Sequence, residues 1–148
     1  KCQLPPHHHD QAILTLMNLD SVIDRQCTKV PPSMPLGEMV MIFAKDKEDI
    51  FPVVDGGNNL HGLISLKDIR KVIFRQELYH VFTAEQLMLP APDILPIGSP
   101  MTYVMNCFEK SGADVLPVVD EDNHFVGIIH KTVLFETYRQ TLVDFSEE

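Results

Sequence analysis

The sequence predicts an α+β fold of two tandem β-α-β-β-α repeats packed as a pseudo-two-fold pair, and three observations carry that reading. The first is the stretch Ile50 to Asp68, IFPVVDGGNNLHGLISLKD. Two apolar runs flank a Gly/Asn/Asp cluster there, the pattern of a β-hairpin. The second is recurrence: Val115 to Val133 reads VLPVVDEDNHFVGIIHKTV, and Pro35, Pro52 and Gly62 are answered by Pro100, Pro117 and Gly127, each 65 positions on. The third is a shared helix face. Leu36, Met39, Val40 and Phe43 stand at i, i+3, i+4, i+7, and so do Met101, Val104, Met105 and Phe108. A fixed period with matching turns and faces marks an internal duplication, and two copies predict a two-lobed arrangement rather than a solenoid.

In chain order, residues 1–11 read as a linker with prolines and three histidines, and 12–78 as the first repeat with a lead-in helix. Residues 79–83 are a connector and 84–148 the second repeat. The lead-in helix runs from Ala12 to Ile23 on the spacing of Ile13, Leu16, Met17, Leu19 and Ile23. Thr28 to Val30 is a short extended piece. Ser33 is placed to cap a helix from Leu36 to Lys47, with Pro35 in its first turn. The hairpin follows, then a helix from about Leu66 to Leu78, begun by Leu66, Ile69 and Ile73. In the second repeat, Leu89 to Ile97 is held extended by Pro90, Pro92 and Pro96. Ser99 and Pro100 open the second striped helix as cap and first residue. The last helix, Lys131 to about Phe145, buries Leu134, Tyr138 and Leu142.

A 45% hydrophobic chain of 148 residues buries a substantial core. The net charge of −9 argues against nucleic acid or an anionic membrane surface as partner. No apolar run reaches the roughly 18 residues of a membrane span, so direct membrane insertion is not expected. No signal-peptide pattern opens the chain, which starts at Lys1 and reads as part of something longer. Cys2, Cys27 and Cys107 are odd in number and widely spaced, fitting a reducing setting better than disulfides or zinc. His7, His8 and His9 lack the carboxylate or cysteine pattern of a metal site, and none is assigned. No nucleophile–base pair, G-x-G-x-x-G or Walker loop is present, and no catalytic residue is assigned.

Ser65-x-x-Asp68 places a hydroxyl and a carboxylate on the turn that follows the returning strand. Free backbone N–H groups collect at such a helix start, and small polar ligands bind there. The same residues also suit a local role, Ser65 as a cap and Asp68 at the positive end of a helix dipole. His130 and Lys131 admit a phosphate contact or a solvated helix start. Asp55 and Asp120, at strand-to-turn junctions, read as turn residues.

The repeated Pro-Val-Val-Asp strand and the Gly-apolar-apolar strand end resemble a tandem cystathionine-β-synthase (CBS) domain pair over Ser21 to Leu142. GLISLKD, Gly62 to Asp68, matches that family's Gly-apolar-apolar-Ser/Thr-x-x-Asp motif. AILTLMNLDSVIDR and VIFRQELY are further similar to the cytoplasmic tail of bacterial voltage-gated-type chloride channels. The resemblance implies regulation without catalysis and no required cofactor, with AMP, ADP or ATP as regulatory ligand between the repeats. Ser65 and Asp68 would hold the ribose, and Ile94, Leu95, Val115 and Leu116 would surround the base. The other cleft, with Thr28, Ile50 and Phe51, carries His130 and Val133 in place of Ser65 and Asp68. It lacks the carboxylate, so at most one nucleotide per chain is expected. The resemblance also implies a homodimer attached to a membrane channel domain at the cytoplasmic face of the inner membrane. A ligand-free dimerising module, a pair regulating another host, and an anion or metal sensor using His130 and Lys131 are the alternatives.

Overall fold

The structure, a computed structural model, describes residues 12–147. The linker expected at residues 1–11, with Cys2 and the three adjacent histidines, lies outside the described residues. The fold is mixed α+β, and it forms two compact units that do not coincide with the two repeats. Of the described residues, one unit takes 12–25, Pro92–Val118 and 126–147; the other takes Gln26–Ala91 and Val119–Phe125.

In the second of these units, helix α3 (Leu36–Lys45) precedes the hairpin of β2 (Ile50–Val54) and β3 (Leu60–Ser65). Ile50 faces Ser65 and Val53 faces Gly62 in antiparallel register, with an irregularity between Val53 and Val54. The sheet is widened on both sides. Val30 lies parallel to Val53, its N–H donating to the Pro52 carbonyl and its own carbonyl accepting from Val54 N–H. Leu89 lies antiparallel to Leu63 with two bonds of 2.9 Å. Leu36, Met39 and Phe43 from one face of α3 close over Phe51, Val53 and Ile64, with Phe43 stacked on Phe51 at 4.4 Å. The apolar stripe thus does what its spacing predicts. A 3₁₀ turn at Gln76–Leu78 and the short helix α4 (Ala84–Leu87) complete the unit.

The other unit repeats this plan. Residues 12–16 are helical (α1), followed by α2 (Leu19–Val22), β1 (Ile23–Asp24), β4 (Leu95–Pro96), α5 (Met101–Ser111), β5 (Val115–Val119), β6 (Phe125–His130) and α6 (Lys131–Ser146). The sheet order is β1-β6-β5-β4, with Ile23 opposite Ile129 and Asp24 opposite Ile128. Met101, Val104 and Phe108 pack on Leu95, Leu116, Val118 and Ile129, and α6 adds Leu134.

Each repeat therefore lends its leading strand to the other. Asp24, ahead of the first repeat's hairpin, pairs with Ile128 of the second; Leu89, ahead of the second hairpin, pairs with Leu63 of the first. Both pairs obey the shift of 65. The same shift relates two glycines beside these strands. A Cβ on Gly62 would lie 2.7 Å from the Leu89 carbonyl oxygen, and one on Gly127 would lie 2.6 Å from that of Asp24. Only a residue without a side chain admits so close a backbone.

Several local expectations are corrected. The lead-in helix is broken at Met17–Asn18, because the Asn18 side chain accepts the Asp20 N–H at 3.0 Å and caps a new, four-residue helix; Ile23 has already joined the sheet. Ser33 and Ser99 do not cap α3 and α5. The cap positions are held by Pro35 and Pro100, whose extended backbone and missing N–H suit a helix entrance, and α3 ends at Lys45 rather than Lys47. The helix expected over Leu66–Leu78 is a chain of turns: Ile69 and Ile73 make i→i−4 bonds, while Asp68, Val72, Arg75 and Leu78 bond only three residues back. Ile69, Val72 and Ile73 are β-branched and favour a helix weakly, and Tyr79 Oη draws on the Ile73 carbonyl at 3.0 Å. Leu142 is 36% exposed rather than buried.

Gly62→Ala and Gly127→Ala should each cost about 1–3 kcal/mol. That lowers the thermal midpoint by about 2–4 °C per kcal/mol at this size. Gly56→Ala, where an added Cβ meets nothing within 4 Å, is the neutral control.

Candidate ligand-binding site

At the end of β3 the chain tightens around Ser65. Its carbonyl accepts the Asp68 N–H at 3.0 Å and the Ile69 N–H at 3.2 Å, while Leu66 N–H donates to the Asp49 carbonyl at 2.9 Å. Ile69 is 3% exposed and pins this turn to the core. Ser65 is half-buried and Asp68 exposed. Neither the Ser65 hydroxyl nor the Asp68 carboxylate makes a hydrogen bond among the described residues, so the turn is held by backbone alone and Ser65 is not a side-chain cap. The turn thus carries two polar side chains, one donor-acceptor and one acceptor, with no partner among the described residues.

Of the apolar candidates, Leu95 and Leu116 are fully buried and Val115 is 7% exposed; they sit together in the neighbouring strands β4 and β5. Their side chains are core. Ile94 is 44% exposed, and its N–H donates to its neighbour Asp93 Oδ1. Ser65 and Asp68 belong to one compact unit, and these four residues to the other.

The corresponding positions of the second repeat are built differently. His130 Nε2 lies 3.3 Å from Asp24 Oδ2, with side chains 19% and 32% exposed. Its counterpart Ser65 has no such neighbour, because the position matching Asp24 is Leu89. Val133, in place of Asp68, is 43% exposed and offers no acceptor. Lys131 lies 5.8 Å from the Phe135 ring centroid, a cation–π distance. Thr28 Oγ1 donates to Asp46 Oδ2, and that bond, with the Glu48 N–H, lowers the Asp46 pKa. Phe51 is fully buried.

The two hairpin turns share the carboxylate-to-backbone bonds that close them. Asp55 Oδ1 accepts the Gly57 and Asn59 N–H groups, and Asp120 Oδ1 those of Asp122 and His124, all at 2.9 Å. Asn58 and Asn123 both have φ of 67°, the left-handed conformation that asparagine tolerates. Both aspartates are turn residues, as expected. The turns also bond to each other: Phe125 N–H donates to the Asn58 carbonyl at 2.8 Å, and Asn58 Nδ2 to the Phe125 carbonyl at 2.9 Å. Sequence reading missed His61, whose Nε2 lies 2.8 Å from Asp55 Oδ2. That bond, followed by the Asn59 N–H, lowers the Asp55 pKa to about 2. It also missed Asp120, Asp122 and His124, whose ligand atoms lie within 4.8 Å of one another. The Asp-x-Asp-x-His spacing was the available signal. Two carboxylates and an imidazole suit a divalent cation, although Asp120 Oδ1 already serves two backbone donors.

The CBS domain family profile matches residues 19–75 and 84–139. A homoserine O-acetyltransferase of Methanocorpusculum labreanum is 25% identical over 144 residues, spanning 87% of this chain and 28% of that protein. The chain thus spans well under a third of the length of this curated relative. Among solved structures, CbpB in complex with c-di-AMP superposes with a TM-score of 0.77 at 17% identity, covering 99% of each chain. CBSX2 in complex with AMP superposes with a TM-score of 0.69 at 20% identity, covering 81% of this chain and 94% of that one. At these identities the two likenesses establish the fold.

The Asp55–His61 contact gives a pH test. Because the folded pKa of Asp55 is depressed, the stability it adds is present above the ordinary value of 3.8 and is lost as pH falls toward 2. The Asp55 side-chain carboxyl resonance should titrate near 2 and move toward the ordinary value in His61→Ala; an unshifted midpoint in that variant would remove the histidine as the cause.

Proposed function

We propose, since the chain belongs to the CBS-domain family, that it is a regulatory module whose Ser65 and Asp68 anchor the ribose of an adenine nucleotide. The observation that carries this reading is the pair itself: a hydroxyl and a carboxylate on one turn at a strand end, neither bonded within the described residues. A carboxylate accepts two vicinal hydroxyls at once, and charge-assisted bonds contribute about 1.5–3 kcal/mol each. The AMP and c-di-AMP bound by CBSX2 and CbpB support the choice of ligand class. Around the base we place Ile94, Leu95, Val115 and Leu116, with Leu95 and Leu116 contributing backbone because their side chains are buried. The second repeat offers Val133 and a histidine engaged with Asp24, so one nucleotide per chain is the proposed stoichiometry.

The module has no catalytic role in this reading. Its proposed host is a channel of the chloride type, attached at the cytoplasmic face of the membrane, on the strength of the AILTLMNLDSVIDR and VIFRQELY segments. No described helix is long and apolar enough to cross a membrane, so the span would belong to that host. A regulatory pair attached to another host is the second reading, favoured by the partial match to the acetyltransferase. In either setting we propose a homodimer with a two-fold interface.

Thermal unfolding with AMP, ADP, ATP and c-di-AMP tests the ligand. At about 100 times its dissociation constant the bound nucleotide should add roughly 2.7 kcal/mol, or about 5–11 °C. Asp68→Ala should abolish the shift, and a midpoint indifferent to all four nucleotides would leave a ligand-free dimerising module. Light scattering at micromolar concentration should return twice the chain mass; a monomer rejects the dimer alone.

A further inference from the structure

Residues 66–75 read LKDIRKVIFR, setting Lys67, Arg70, Lys71 and Arg75 against one carboxylate in a chain of net charge −9. All four cations are exposed. Arg75 is bonded to Glu77 at 2.9 Å, whereas Lys67, Arg70 and Lys71 have no ion pair or hydrogen bond among the described residues. Phe74 is 83% exposed, more than any other large apolar side chain described. It borders a depression of about 440 Å³ together with Asp49, Leu66, Lys67, Arg70 and Ile73. The repeat does not require this composition. Positions matching the four cations hold Thr132, Phe135, Glu136 and Gln140, and the position matching Phe74 holds Arg139.

We propose that this face docks on an anionic lipid surface, with Phe74 entering the headgroup region and Lys67, Arg70 and Lys71 meeting lipid phosphates. Cations around a projecting aromatic ring are the composition of an interfacial anchor. The whole-chain charge does not oppose it, because charges more than about 8 Å from the contact are screened at physiological salt. An acidic peptide is the poorer fit. A rigid partner would need a pocket matched to a ring that stands clear of its own surface, whereas a fluid bilayer deforms around it.

Sedimentation of the chain with vesicles of pure phosphatidylcholine, or of phosphatidylcholine mixed with phosphatidylglycerol, tests this at low and high salt. Binding is expected with the mixed vesicles alone, falling as salt rises. Each cation removed should weaken it about fivefold, so Lys67→Gln with Arg70→Gln loses about 25-fold. Phe74→Ser should lose about tenfold and keep the salt dependence. Lys29→Gln with Lys110→Gln makes the same charge change elsewhere and should leave binding intact. Circular dichroism confirms that each exposed-site variant folds. Equal binding to both vesicle types, no binding at all, equal losses in the two double variants, or retention on polyglutamate without vesicle binding each overturns the proposal; the last assigns the face to an acidic protein.

Discussion

Between Gly62 and the Leu89 carbonyl oxygen, and between Gly127 and that of Asp24, there is no room for a methyl group. This close approach is the constraint from which much of the structure follows. It lets a strand from one repeat lie against the hairpin of the other, completing each sheet on the side opposite Val30 or Leu95. With those strands in place, the striped helices α3 and α5 find sheets wide enough to cover, and Phe43, Phe51, Phe108 and Leu116 are buried.

The hairpins, the helix stripes and the 65-residue period could all be read from the sequence because they are local: turn residues, alternation and spacing act within a few positions. The strand exchange could not. Gly62 and Gly127 were visible as a matched pair, but nothing near them in sequence names Leu89 or Asp24 as the backbone they admit. The misread helix after Ser65 has a different, local origin. Its apolar spacing was helical, yet three β-branched residues within it and the Tyr79 hydroxyl six positions past Ile73 favour turns. Of the candidate site, the Ser65–Asp68 turn was readable from its motif. That Leu95 and Leu116 would be core, and that His61 would hold Asp55, depended on tertiary neighbours.

The two repeats share a backbone plan and differ in where they leave polar groups unmet. In the second, His130 and Asp24 meet across the exchanged strand, and Lys131 leans toward Phe135. In the first, the corresponding positions are Ser65, Leu89 and Leu66, which make no such pairs. The His130–Asp24 contact engages the polar groups of one strand end, while the Ser65 hydroxyl and Asp68 carboxylate of the other have no partner among the described residues. Duplication thus supplied two equivalent strand ends, and substitution at three or four positions gave them different chemistry.

The exchange of leading strands also fixes a load path. Tension on the segment ahead of the first hairpin meets Ile23 and Asp24, which are paired with Ile129 and Ile128 of β6 rather than with the hairpin that follows them in sequence. A pull on that segment is therefore borne by the sheet of the second repeat.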